Sequence, residues 1–193
     1  MVARLELKLK CREALSYQMA SLFHGVLMEL LPEEYADELH YSQLHPYTQH
    51  LECREDVWYW VVCALNEQAV KTILKDALWD VKQIVLKKKQ ILIEICGKQY
   101  EEMPYKQFME HEEHGRYLQI QFVSPTAFKQ RGNYVFFPDL HCLFQSLMNK
   151  YDAAAGDHIM LDEETLEQLC ANAQIVRYDL KSVSFSLEGV RIP

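Results

Sequence analysis

The chain has 193 residues, 49% of them apolar, with a net charge of −8 and only six glycines and six prolines. That length allows one large domain or two small ones, and roughly 70% of the unfolded surface can be buried without staples. The composition excludes long disordered tracts, and the acidic balance argues against non-specific nucleic-acid binding through a broad basic surface.

The chain opens with a strand in which Leu5, Leu7, Leu9 and Cys11 alternate with charged residues. Ser16 is placed to cap a helix that turns Phe23, Val26, Leu27, Leu30 and Leu31 inward, and Pro32 limits its continuation. A short helical turn, Glu33 to Leu39, leads into a polar loop carrying histidines. Tyr47 to Cys53 and Val57 to Leu65 form a hairpin around Arg54-Glu55-Asp56, and Asn66 caps a helix with Val70, Ile73, Leu74, Ala77 and Leu78 on one stripe. Val81 to Ile95 supplies one or two further strands, so the first half reads β-α-β-β-α-β. The Glu- and His-rich residues 100–115 are read as a boundary, dividing the chain into domains 1–110 and 116–193.

In the second half Leu118, Ile120 and Phe122 alternate with Gln119 and Gln121, predicting a strand that Ser124-Pro125 ends. Lys129 and Arg131 stand either side of Gln130, before a Gly132-Asn133 turn. Tyr134 to Phe137 form a short strand, and Asp139 caps a helix bearing Leu140, Leu143, Phe144, Leu147, Met148 and Tyr151 on one face. A small-residue loop at 153–157 precedes a second helix starting at Leu161-Asp162. A last strand then alternates Val183, Phe185 and Leu187 with serines. The expected architecture is α+β, and this half reads as incomplete, with a strand edge left to be covered or to pair with another copy.

Six cysteines, at 11, 53, 63, 96, 142 and 170, form no CxxC pair, which fits a reduced, cytoplasmic chain. No signal peptide is expected, because Arg4, Lys8 and Lys10 interrupt the first apolar residues. The longest apolar run, Val57 to Leu65, is too short to span a bilayer, so no membrane association is expected. His40, His45 and His50 repeat every five residues, which suits neither one helix face nor one strand face and argues against a metal site. The HEEH at 111–114 lacks further ligands. Lys87, Lys88 and Lys89 read as a solvated hairpin tip, and no phosphate-binding glycine motif appears.

Two separated runs, LFHGVLMELLPEEYADELHYSQLHPYT and FVSPTAFKQRGNYVFFPDLHCLFQSLMNKY, resemble the CRISPR-associated endoribonucleases that cut precursor CRISPR RNA, members of the RAMP superfamily. The resemblance implies two tandem ferredoxin-like (RRM-like) domains, the second truncated at its C-terminus. It implies cleavage by attack of a ribose 2′-OH on the adjacent phosphate, without metal or other cofactor. A catalytic histidine of that family matches His40, with His45 five residues later where some relatives carry a lysine. Met28 stands where some carry a tyrosine. Lys129 and Arg131 are then phosphate contacts. On the residues alone, His40 is equally a helix-end histidine favoured by the dipole, His24 a packed or solvated histidine, and the two cations a solvated loop. The implied partner is CRISPR repeat RNA; other CRISPR effector subunits and a homodimer are further candidate partners. A non-catalytic RNA-binding or assembly subunit is the alternative function, and a protein-interaction module unrelated to RNA a third.

Overall fold

The alternation at the start of the chain does form a strand: β1, Val2–Lys10, puts Leu5, Leu7 and Leu9 on a buried face and Arg4, Glu6 and Lys8 on the other. The computed structural model describes residues 1–193 apart from 43, 111–114, 123–125, 127, 131, 136, 156–161, 182–184, 188–189 and 193; at 105, 109, 129, 155, 185–187 and 190–192 it describes the backbone. The chain divides into two compact units, Met1–His114 and Gly115–Pro193.

In the first unit, β1 leads through a 3₁₀ turn, Tyr17–Met19, into helix α1, Ala20–Leu30. Phe23 and Leu27, four apart, bury one face of α1, and Pro32 starts helix α2, Glu33–Tyr41. Strands β2, Tyr47–Arg54, and β3, Val57–Ala64, form the hairpin expected from the sequence. Its tip is a two-residue turn in which Glu55 and Asp56 both take positive φ, 49° and 62°, the geometry that matches strand twist. Asn66 caps the next helix, its side chain accepting the Ala69 N–H at 2.8 Å. One α-helical turn, α3 (Glu67–Ala69), passes directly into a π-helical stretch, Val70–Leu78. That stretch buries Val70, Ile73, Leu74 and Leu78. Strand β4, Gln83–Leu86, and the thirteen-residue β5, Ile91–Met103, complete an antiparallel sheet in the order β2-β3-β1-β5-β4. Residues 100–103, expected within the boundary, are the end of β5 and pair with β1. Helix α4, Tyr105–Glu110, follows.

The core of this unit lies between the helices and one face of the sheet. Trp60, fully buried on β3, meets Phe23 edge-on with ring centroids 5.1 Å apart. Its indole N–H donates to Gln49 Oε1 at 2.9 Å, and Gln49 Nε2 donates to the Ala20 carbonyl at 3.0 Å. This relay satisfies a buried polar atom and fastens the hairpin to the start of α1.

In the second unit, β6 (Phe128–Gln130) pairs with β7 (Asn133–Val135) around a turn where Gly132 takes φ 83°. Helix α5, Leu140–Ala155, is capped by Asp139, whose side chain accepts the Cys142 N–H at 2.7 Å. Asp162 caps helix α6, Glu163–Asn172, accepting the Glu164 and Thr165 N–H groups at 3.2 Å each. Strand β8, Phe185–Leu187, pairs with β9, Val190–Ile192.

Three expectations change here. Residues 118–122 form no strand, and Leu118 is 78% exposed: alternation makes a strand only where a second strand offers its hydrogen bonds. Ala153–Ala155 extend α5 instead of opening a loop, and Leu147 on its expected inner face is 55% exposed. Leu161 and Val183 lie outside the described residues.

Candidate active site around Tyr47

Helix α1, the loop before β2 and the first residue of β2 bring one tyrosine and two histidines together. Tyr47 is buried because β2 enters the sheet there with its ring on the helix face, opposite Ala64. His24, half-buried on α1, stacks on the Tyr47 ring with centroids 6.4 Å apart and planes within 15°. His45, exposed in the loop before β2, approaches the same ring at 5.7 Å, tilted by 45°. The loop is held at both ends. Ser42 donates its N–H to the Glu38 carbonyl at 3.0 Å and its hydroxyl to the Leu44 carbonyl at 2.8 Å. The Leu65 N–H donates to the Pro46 carbonyl at 2.8 Å.

The electrostatics of the group follow from this packing. Burial pushes the His24 pKa below its ordinary value, and the nearby His45 pushes the same way. Both effects disfavour the charged form of His24. Burial raises the Tyr47 and Tyr35 phenols to about 12 each. Both hydroxyls are buried with no hydrogen-bond partner among the described residues. Such groups stay neutral and retain a free donor and acceptor.

His40 is exposed on the last turn of α2, and its ring contact is with Tyr41, at 5.7 Å. Of the two histidines expected to act, His45 is therefore in the Tyr47 group, and His40 stands where the same loop leaves α2. His24 supplies a third imidazole. Its signal in the sequence is its position beside the buried Phe23, on the flank of the α1 stripe. Met28 is half-buried and packs on the core.

Lys129 lies in β6, opposite Tyr134. Arg131 falls outside the described residues, as does the HEEH run at 111–114. Lys87 at the β4–β5 tip is ion-paired with Glu29 at 2.6 Å. Among the described residues, no group of three or more His, Cys, Asp or Glu side chains could hold a metal ion, and no helix is long and apolar enough to cross a membrane.

A second polar cluster occupies the open face of the sheet. The Glu6 carboxylate accepts from Arg54 at 2.8 and 3.0 Å and from Arg4 Nε at 2.8 Å. Arg54 also donates to Glu52 at 2.6 Å, and His50 Nε2 lies 3.8 Å from the same carboxylate. Arg54, followed by Arg4, pulls the Glu6 pKa down. Burial lowers the His50 pKa against the opposing pull of Glu52.

Comparison with known proteins places the chain in a family. Residues 120–189 match the family CRISPR-associated endoribonuclease Cas6. A curated CRISPR-associated endoribonuclease Cas6 from Streptococcus thermophilus is 32% identical over 178 residues, covering 91% of this chain and 72% of the relative. Its counterpart from Mycobacterium tuberculosis (strain CDC 1551 / Oshkosh) is 30% identical over 177 residues, covering 88% of this chain and 55% of the relative. Among solved structures, a Cas6 product complex superposes with a TM-score of 0.75 at 21% identity, covering 97% of this chain and 78% of that one. A Cas6 substrate mimic complex gives 0.67 at 18% identity, covering 96% and 75%. The match to the streptococcal relative, nearly end to end in this chain, settles the assignment: the chain belongs to the family of CRISPR-associated endoribonucleases, Cas6.

Proposed function

We propose that this chain binds CRISPR repeat RNA and cuts it to release mature guide RNA, without a metal ion. The observation that carries the reading is the set of three histidines, His40 at the end of α2, His45 in the α2–β2 loop and His24 on α1, the last two against Tyr47, in a chain of this family. In the reaction a ribose 2′-OH loses its proton to a base and attacks the adjacent phosphorus. The bond to the 5′-oxygen breaks, and that oxygen takes a proton from an acid, leaving a cyclic phosphate and a 5′-OH. His40 and His45 are the acid and base, exposed where RNA can reach them. His24, stacked on the Tyr47 ring, is the third imidazole of the group. Histidine suits both transfers because its ordinary pKa, ~6.5, lies near working pH.

Lys129, in β6, and Arg131 contact phosphates. RNA of this kind is read through backbone, shape and unpaired bases, so a few placed cations suffice in an acidic chain. The architecture for this task is two tandem ferredoxin-like domains, 1–110 and 116–193. In support, removing β4 from the first sheet leaves the order β2-β3-β1-β5, with helices following β1 and β3. Six free cysteines fit work in the cytoplasm.

The test is cleavage of labelled repeat RNA by His40→Ala and His45→Ala variants. We expect each to lower the cleavage rate by at least about 100-fold, the scale of one lost acid or base, with affinity changed only a few-fold. Full activity in both variants would remove these residues from the reaction.

A further inference from the structure

Helix α2 ends on an aromatic ring that the core does not use. Tyr35 and Leu39, four apart, bury the inner face of the helix. Tyr41 follows Leu39 by two residues, about 200° of helical turn, and so lies on the outer face. Its side chain is 83% exposed, more than any other large apolar or aromatic residue among those described. Exposure alone would mean little, since single apolar residues are common on protein surfaces. The position of this one carries more.

The Tyr41 ring centroid lies 5.7 Å from that of His40, with the ring planes 75° apart. An edge-on contact covers at most one of the two tyrosine faces, which leaves a flat, solvated face beside the imidazole that the proposed function places in the reaction. The backbone beneath the ring is fixed. Tyr41 is the last residue of α2, and the next residue, Ser42, donates its N–H to the Glu38 carbonyl at 3.0 Å and its hydroxyl to the Leu44 carbonyl at 2.8 Å. A tyrosine on such a base has two side-chain torsions to order when something lies against it, so it offers a large contact area at low entropic cost.

Charge decides which part of an RNA can lie there. Glu34, Asp37 and Glu38 precede Tyr41 by seven, four and three residues, on the same side of α2, and all three are exposed. The carboxyl end of a helix also carries partial negative charge. Both disfavour a phosphate at this spot and leave the base, the uncharged part of a nucleotide, as the group that fits. Stacking on an aromatic ring asks only for a π-face, which every base has.

We propose that Tyr41 is a stacking platform for an unpaired nucleobase adjoining the phosphate that is cut, and that it helps to bring that phosphate to His40. This rests on the proposed function for its ligand, repeat RNA, but not on turnover. The test is therefore binding of the 193-residue protein to repeat RNA made uncleavable by a 2′-deoxy substitution at the scissile nucleotide. Tyr41→Ala weakens binding about tenfold, the scale of one lost base–aromatic stack. Tyr41→Phe and Tyr41→Trp, which keep a ring, bind within about twofold of the wild type. Because Tyr41 is exposed, none of these changes disturbs the core. An abasic substitution at one of the two nucleotides flanking the scissile phosphate weakens the wild type as Tyr41→Ala does, and it costs the alanine variant nothing further. Equal binding by wild type and Tyr41→Ala, phenylalanine and tryptophan variants as weak as the alanine one, or additive losses at both abasic positions would overturn the proposal and leave cleavage by His40 and His45 standing. A wild type that does not bind the repeat RNA would overturn this proposal and the proposed function together.

Discussion

Glu6 is the one buried charged residue among those described, and its two arginines explain how the sheet tolerates it. Arg54 grips the carboxylate with both terminal nitrogens, a fork geometry that suits guanidinium and carboxylate. Replacing Glu6 by Gln removes the carboxylate that Arg4 and Arg54 both bind directly and leaves them Glu52, 2.6 Å from Arg54 and 3.9 Å from Arg4. Because both arginines are about 40% exposed and partly solvated, we expect a loss of about 1–3 kcal/mol in urea unfolding, below the full cost of a broken buried pair. The Glu6 pKa is lowered in the folded state, so the unfolded chain takes up the proton first. Its stabilisation is thus complete above the ordinary value of 4.5 and is lost as pH falls through the folded value. Unfolding of wild type and Glu6→Gln compared across that range should show the two converging at low pH. None of this is legible in the sequence beyond the alternation of charges along β1. Arg54 is 48 residues from Glu6, and only the β1-β3-β2 register brings them together. The same limit applies to Tyr47, whose two histidine neighbours come from a helix and a loop.

At the level of elements, local chemistry tells most. Asn66, Asp139 and Asp162 are all identifiable as caps before short apolar stripes, and each accepts backbone N–H groups in the structure. Asn66→Ala should cost about 1 kcal/mol, the usual worth of such a cap, measured by thermal or urea unfolding. What the stripe cannot reveal is the π-helical course of Val70–Leu78, because Val70, Leu74 and Leu78, four apart, share a face in either winding. The 118–122 segment shows the converse: its pattern is clear, but pattern does not supply a partner strand. In the proposed function Lys129 and Arg131 are the phosphate contacts. Neutralising Lys129 and Arg131 together should weaken binding of all repeat RNA variants about equally. It should also reduce the slope of log affinity against log salt by roughly 0.7 for each phosphate that is no longer neutralised. An unchanged slope would remove both residues from the RNA contacts.

At the scale of the whole molecule, the core cluster of buried apolar residues, from Ala3 to Ile93, lies entirely within the unit Met1–His114. The family match at residues 120–189 falls in the other unit. A net charge of −8 leaves long-range attraction to RNA weak, so recognition rests on a few local contacts and is sensitive to salt. The division into a β-α-β-β-α-β half and a second α/β half can be read from the order of patterns. The extra edge strand β4 can be read only loosely, since residues 81–95 allow one strand or two. The most direct measurement is incubation of the 193-residue chain with end-labelled CRISPR repeat RNA in EDTA, followed by analysis of product length and termini. We predict a single cut giving a cyclic phosphate and a 5′-OH, abolished by a 2′-deoxy substitution at the scissile nucleotide. RNA bound but left intact would make the chain a binding subunit, and cutting that persists with the deoxy substrate would contradict 2′-OH attack.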